Sequence, residues 1–117
     1  MQQGYYYLGQ PYTDESAEIR QIRYEAALTC IGYFHTFITI YSPIVHYHNM
    51  AIACDTEVNF KAFKMHNENM LQHASGLLVF KLIGWADSEG LTWEINCART
   101  LHKPVFYLTN KLELEGL

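Results

Sequence analysis

Short apolar runs alternate along this chain with longer segments of helical periodicity, and this alternation restricts the fold more than any other feature. Runs rich in aromatic and β-branched side chains predict strands buried inside a sheet. The segments between them carry apolar residues every three or four positions, which predicts helices that cover the sheet. The predicted strands are 5–9, 36–41, 76–80 and 105–108.

Helical periodicity predicts three helices, each followed by a strand. The first helix should begin after a cap at Thr13 or Asp14 and end at Phe34, and the second should span 60–74. The third should begin after a cap at Asp87 or Ser88 and end at about His102. A loop of about 14 residues is expected after Ser42-Pro43. The order β-α-β-α-β-α-β predicts an α/β fold. We expect a single-domain, three-layer sandwich with a mostly parallel, Rossmann-like or flavodoxin-like sheet of four to five strands.

Ligands of parallel sheets bind beyond the carboxyl ends of the strands. In this chain those ends lead into the segments 9–12, 42–48 and 81–90, which should therefore form one cleft. The side chains and backbone expected to contact a ligand in these segments are Gly9, Pro11, Tyr12, His46, His48, Trp85, Ser88 and Gly90.

Size and charge restrict the partners. The chain of 117 residues predicts one domain spanning 1–117, with a core over about 5–108 and a C-terminal tail at 109–117. A formal net charge of −4 disfavours a nucleic acid polymer, which normally needs a basic surface. A small anion remains suitable, and Arg23 on the first helix is a candidate contact, although a solvated basic face would also explain this residue.

Cysteine usage and the absence of long apolar runs suggest a location. Three widely spaced cysteines without a CxxC pair predict neither a disulfide framework nor a zinc ribbon. The first residues lack the pattern of a signal peptide, and no apolar run reaches membrane-spanning length. We therefore expect a cytoplasmic protein without a membrane partner.

Glu94 interrupts the apolar stripe of the third predicted helix. It lies three residues after Leu91 and four before Ala98, in phase with the side chains that should face the sheet. Near the positive end of the helix dipole, its carboxylate is expected to be ionised and nucleophilic at neutral pH. A solvated helix glutamate is the ordinary alternative.

Ser88 and Gly90 stand at the start of the same helix. A hydroxyl and free backbone N–H groups there can bind a phosphate, and glycine allows close approach. An ordinary helix cap would explain the same residues. In the second predicted helix, Asn67 is likewise in phase with the apolar stripe, so its amide either faces the cleft or bonds to the backbone, with Asn69 a neighbouring candidate.

His46 and His48 form an H-x-H element that could share a metal ion. No third ligand stands at a diagnostic spacing, so we predict no metal site and no cofactor, and treat both histidines as ligand contacts or surface residues.

Several short motifs together resemble a known family. They are Tyr7-Leu8-x-x-Pro11-Tyr12, Arg23-Tyr24-Glu25-Ala26, Tyr41-Ser42-Pro43-Ile44, Gly84-Trp85-x-x-Ser88-x-Gly90, Glu94-Ile95 and Lys103-Pro104-Val105. In this order and spacing they resemble the DUF1937 group of the nucleoside 2-deoxyribosyltransferase-like superfamily, over about residues 5–108. The superfamily includes 2′-deoxynucleoside 5′-phosphate N-hydrolases.

The resemblance implies cleavage of an N-glycosidic bond through a covalent intermediate. Glu94 matches the nucleophilic glutamate of the superfamily, which attacks C1′ as the base leaves. Ser88 matches a serine that contacts a 5′-phosphate, which favours a nucleoside monophosphate as substrate. Tyr6 matches the site tyrosine, with Tyr12 as the alternative. The resemblance also implies a homodimer whose site is completed across the interface.

Asn67 departs from the superfamily, which usually has an aspartate at this position. An amide forms hydrogen bonds but cannot act as a general acid, and loss of such a group costs about 10²–10⁴ in rate. We therefore expect either an N-glycosidic bond hydrolase or transferase, or a protein of the same fold that binds a nucleotide or nucleotide-derived signal without turnover. An interaction protein with an aromatic docking surface is a third, weaker interpretation.

Overall fold

The computed structural model describes residues 4–55 and 60–115, with side chains described in the second range from residue 63 onward. Four strands form one sheet: β1 (Tyr6–Gly9), β2 (Ile40–Tyr41), β3 (Gly76–Phe80) and β4 (Val105–Leu108). Four helices surround it: α1 (Ala17–Phe34), α2 (Pro43–Cys54), α3 (Phe60–His73) and α4 (Glu89–Thr100). One 3₁₀ turn, Trp85–Asp87, precedes α4.

All strand pairs are parallel, in the order β2-β1-β3-β4. The predicted α/β class, with a parallel sheet between helical layers, is confirmed. Because the chain moves outward from β1 to β2 on one side and from β3 to β4 on the other, the connections diverge between β1 and β3. The carboxyl ends of these two strands therefore form the switch point at which α/β proteins bind ligands.

Strand alternation distributes the core over two faces. Tyr7, Leu77 and Val79 face one side, where they pack with residues of α3 and α4, including Leu71 and Leu91. The intervening residues of the same strands face the opposite side and pack against α1; this second cluster contains Leu8, Ala27, Cys30, Leu78, Phe80 and Leu108. β3 is buried along its whole length, as its continuous apolar run predicts.

The prediction of a long loop after the second strand is wrong, because this segment forms α2. Ser42 caps the helix by accepting a hydrogen bond from the backbone N–H of Val45, and Pro43 occupies the first turn. Serine at the cap followed by proline is a helix-start signal. Ile44, Tyr47 and His48 then bury one face of the helix.

Two further boundaries differ from the predictions. α1 is capped by Ser16 rather than by Thr13 or Asp14, and Asp14 instead accepts a hydrogen bond from the Ser16 backbone. β2 contains only Ile40–Tyr41, because the chain turns after α1 and leaves Phe37 exposed. The first strand and α4 are each shorter than predicted by one or two residues, whereas β3 and β4 match.

The C-terminal segment returns to the sheet. Leu114 forms an isolated antiparallel bridge with Leu108, and Lys81 forms a 2.6 Å salt bridge with Glu115. None of the helices in the described ranges has the length and apolar character needed to cross a membrane.

Candidate functional site

A cleft of about 420 Å³ opens at the switch point, beyond the carboxyl ends of β1 and β3. It is bounded by the β1–α1 loop, by helix α3, and by the first turns of α2 and α4. Its lining residues comprise apolar, amide and charged groups: Leu8, Gln10, Pro11, Tyr12, Thr13, Asp14, Arg23, Pro43, Ile44, Tyr47, Phe63, Asn67, Gly84, Asp87, Ser88, Glu89, Gly90, Leu91 and Glu94.

Glu94 lies in this cleft, and its side chain is only 7% exposed. The phase of α4 therefore predicted its direction correctly. The Tyr7 hydroxyl donates a short hydrogen bond to Oε2 of Glu94. Tyr7 is fully buried in the centre of β1, so this contact fixes the position of the carboxyl group.

The expectation that Glu94 is ionised at neutral pH is wrong. Burial raises the pKa of Glu94 to about 8, and the hydrogen bond from Tyr7 lowers it only in part. Desolvation thus outweighs the helix dipole. The neutral form of Glu94 is therefore favoured at pH 7.

Tyr6 is not the tyrosine of this cleft. Because side chains alternate along a strand, Tyr6 faces the side opposite to Tyr7 and packs edge-on against Phe106, with ring centroids 6.0 Å apart. Tyr7, which does not itself line the cleft, is the β1 tyrosine that bonds to Glu94. Tyr12, the predicted alternative, does line the cleft but contacts His48 rather than Glu94.

Gly9, also predicted to contact a ligand, does not line the cleft but ends β1 next to Glu94. A Cβ atom at this position would lie 2.8 Å from Cδ1 of Leu91 and 3.3 Å from Oε1 of Glu94. Glycine thus allows β1 and α4 to approach closely enough to place the carboxyl group.

We expect Gly9→Ala to destabilise the protein by about 1–3 kcal/mol, because Leu91 is buried and must shift to accommodate the methyl group. The measurement is urea unfolding followed by circular dichroism. Gly32→Ala is the matched control: a Cβ there meets nothing within 4 Å inside α1, so the change should be neutral or stabilising. Equal stability of Gly9→Ala and wild type would contradict the close packing.

Ser88, Gly90 and Arg23 form the polar end of the cleft. Ser88 caps α4 by accepting a hydrogen bond from the backbone of Leu91, so the first N–H groups of a 12-residue helix face the cleft mouth. The Arg23 guanidinium donates only to backbone carbonyls, at 3.2–3.4 Å, including that of Ile83. Among the described residues, no carboxylate neutralises its charge.

Two buried amide oxygens at the cleft lack a hydrogen-bond partner among the described side chains: Oδ1 of Asn67 and Oε1 of Gln10. Both side chains are only 5% exposed. Nearly all buried polar atoms in folded proteins are paired, so both atoms are free to accept a hydrogen bond from a donor that enters the cleft. Asn67 was predicted from helical phase. Gln10 was not, because no periodic pattern covers the loop after β1.

His48 lies behind the cleft and does not line it. It is 4% exposed and stacks on Tyr24 with ring centroids 4.2 Å apart. Its Nδ1 lies 2.6 Å from the hydroxyl of Tyr12. His48 therefore does not line the cleft as predicted, but it bonds to Tyr12, which does.

His46 and Trp85, also predicted to contact a ligand, do not line the cleft. His46 is exposed on α2 and stacks on His66. Trp85 packs edge-on against Tyr107, beneath the ammonium group of Lys81. In the part of the chain that the structure describes, no three His, Cys, Asp or Glu side chains converge as a metal site would require.

The sheet order, the cleft at its switch point and the buried carboxyl group define the chain as an α/β domain with a polar cleft at the carboxyl ends of its parallel strands. The chain belongs to the DUF1937 family, described as a domain of unknown function, whose model matches residues 4–110. This confirms the predicted membership of the DUF1937 group. No curated protein matches the chain.

Proposed function

We propose that the protein cleaves, or transfers the sugar across, the N-glycosidic bond of a (deoxy)nucleoside 5′-monophosphate or related nucleotide, with Glu94 as nucleophile. The observation that carries the proposal is the placement of Glu94, a buried carboxyl group held by Tyr7 within a cleft large enough for a nucleotide. The superfamily resemblance of the motifs supplies the reaction class.

In the proposed reaction, an oxygen of the Glu94 carboxylate bonds to C1′ while the bond from C1′ to the base nitrogen breaks. The electron pair leaves with the base, which takes up a proton from water or from a neighbouring group. Water, or a second base in the transferase reaction, then displaces Glu94 from C1′. Only the ionised carboxylate attacks, so Glu94 must first lose the proton that burial favours.

Charges at the cleft favour a single phosphate. Arg23 and the free N–H groups at the start of α4 are suited to an anion, with Ser88 beside them. Asp14, Asp87 and Glu89 also line the cleft and would repel the greater charge of a diphosphate or triphosphate. A monophosphate therefore fits this balance best.

Asn67 supports the alternative of nucleotide binding without efficient turnover. Its amide can bond to a sugar hydroxyl but cannot protonate a leaving base. The neutral state of Glu94 at pH 7 would also slow attack.

We further propose that the protein is a cytoplasmic homodimer whose site is completed across the subunit interface.

The test incubates the purified protein with deoxynucleoside and ribonucleoside 5′-monophosphates and follows free base by chromatography, from pH 6 to pH 9. We expect base release to rise about tenfold per pH unit at low pH and to level off near pH 8, because the rate follows ionisation of Glu94. Nucleoside substrates without the phosphate serve as controls and should react more slowly. Absence of base release, together with a ligand-induced rise in Tm, would favour the binding protein.

A further inference from the structure

A chain of hydrogen bonds runs from the surface of α1 to the cleft, and its outer end fixes the direction of every bond. The amide nitrogen of Gln21 donates a hydrogen bond to Oε2 of Glu25 over 3.1 Å. This orients the Gln21 oxygen towards Nε2 of His48, 2.9 Å away, and Nε2 must therefore carry the ring proton of His48.

The position of that proton determines what Tyr12 presents to a ligand. Burial, and then the charge of Arg20, lower the pKa of His48, so its ring is neutral at pH 7 and carries one proton. With Nε2 protonated, Nδ1 is an acceptor, and the Tyr12 hydroxyl donates to it over 2.6 Å. The hydroxyl proton of Tyr12 is thus in use, so the oxygen of this cleft-lining residue can only accept a further hydrogen bond.

Gln10, two residues earlier in the same loop, also presents an acceptor. Its amide nitrogen donates to the backbone carbonyl of Arg23 over 2.9 Å, which fixes the orientation of the amide. Its Oε1 is the unpartnered buried atom noted above. Two independent hydrogen-bond arrangements therefore give this loop two acceptor oxygens.

Gln10 and Tyr12 line the same cleft as a group of apolar side chains, the apolar wall. The β1–α1 loop contributes Pro11, and the start of α2, to which Tyr12 is linked through His48, contributes Pro43, Ile44 and Tyr47. The helix start that suits a phosphate lies on the other side, after β3. A nucleotide with its phosphate at α4 would thus place its planar heterocycle against the apolar wall.

We propose that Gln10 and Tyr12 select the base, by accepting hydrogen bonds from an exocyclic amino group on the heterocycle. Bases that carry this group are then bound in preference to their counterparts without it. The inference rests on the proposed function, because it takes the ligand to be a nucleotide.

The test is calorimetric titration of the full chain with two matched ligand pairs. Deoxyguanosine and deoxyinosine 5′-monophosphates differ only by an amino group, and deoxycytidine and deoxyuridine 5′-monophosphates exchange an amino for a keto group. We expect the amino member of at least one pair to bind about tenfold more tightly, which corresponds to one well-formed hydrogen bond.

Two variants remove the acceptors separately. Tyr12→Phe and Gln10→Met should each reduce the preference for the amino member to about twofold or less, with circular dichroism confirming the fold. Tyr24→Phe is the control, because it keeps the ring stacked on His48 and does not line the cleft, so its preference should match wild type. Equal affinity within both pairs, or a preference that survives in both acceptor variants, would overturn the inference.

Base release, measured separately, distinguishes this inference from the proposed function. Discrimination without base release would support the selection of the base and refute the glycosidase. Base release without discrimination would support the glycosidase and refute the selection of the base. If none of the four nucleotides binds, the selection of the base is refuted, whereas the glycosidase is decided by the wider panel of deoxynucleotides and ribonucleotides.

Discussion

Glu94→Gln is expected to reduce base release from a nucleoside monophosphate at pH 8 by a factor of at least about 10³, because the amide cannot form the bond to C1′. Glutamine matches the size and polarity of the neutral glutamic acid, so the cleft should keep its shape. Single-turnover assays with excess protein would measure the loss, and calorimetry would confirm that the variant still binds nucleotide.

The matched control is Glu113→Gln, which makes the same chemical change on an exposed side chain of the C-terminal segment. It should release base at the wild-type rate. Retention of activity by Glu94→Gln would exclude Glu94 as nucleophile, and the reaction would have to be assigned to another group.

Glu94 is also expected to make the protein less stable as pH rises. Its pKa is about 8 in the folded chain, against 4.5 for a glutamate in water, so between these values the folded chain holds a proton that the unfolded chain has lost. The stabilisation is complete below pH 4.5 and is lost as pH rises through 8, at about 1.4 kcal/mol per pH unit within the window. Between pH 5 and pH 8 the free energy of unfolding should fall by about 3.5 kcal/mol from this group alone.

Urea unfolding at pH 5, 6, 7 and 8 would measure this dependence. Glu94→Gln removes the ionisable group, so its stability should exceed that of wild type increasingly towards pH 8. Glu113→Gln should keep the wild-type slope, because its side chain is exposed. Parallel slopes for wild type and Glu94→Gln would show that Glu94 titrates normally.

Patterns local in sequence predicted much of this structure. The apolar run of β3 and the helical phase of Glu94 and Asn67 depend only on residues within one element, and the structure places these elements as predicted. The segment after Ser42 was misinterpreted because serine and proline there can either end a strand or begin a helix.

Features that depend on contacts between distant segments could not be predicted. Whether Tyr6 or Tyr7 reaches Glu94 depends on the register of β1, since a shift of one residue reverses which face a side chain occupies. The Tyr12–His48 contact joins residues 36 positions apart, and that between His48 and Gln21 joins residues 27 apart. The raised pKa of Glu94 similarly results from burial by several elements rather than from its position in one helix.

α4 carries both Ser88 at its start and Glu94 in its second turn. A helix rises about 1.5 Å and turns about 100° per residue, so the chain has little freedom to vary the spacing between them. One residue inserted within this interval would rotate Glu94 out of the cleft, whereas an added residue in an exposed loop is generally accommodated. Over evolutionary time, relatives that share this reaction should therefore differ in loop length but keep the serine and the glutamate six positions apart, as Ser88 and Glu94 are.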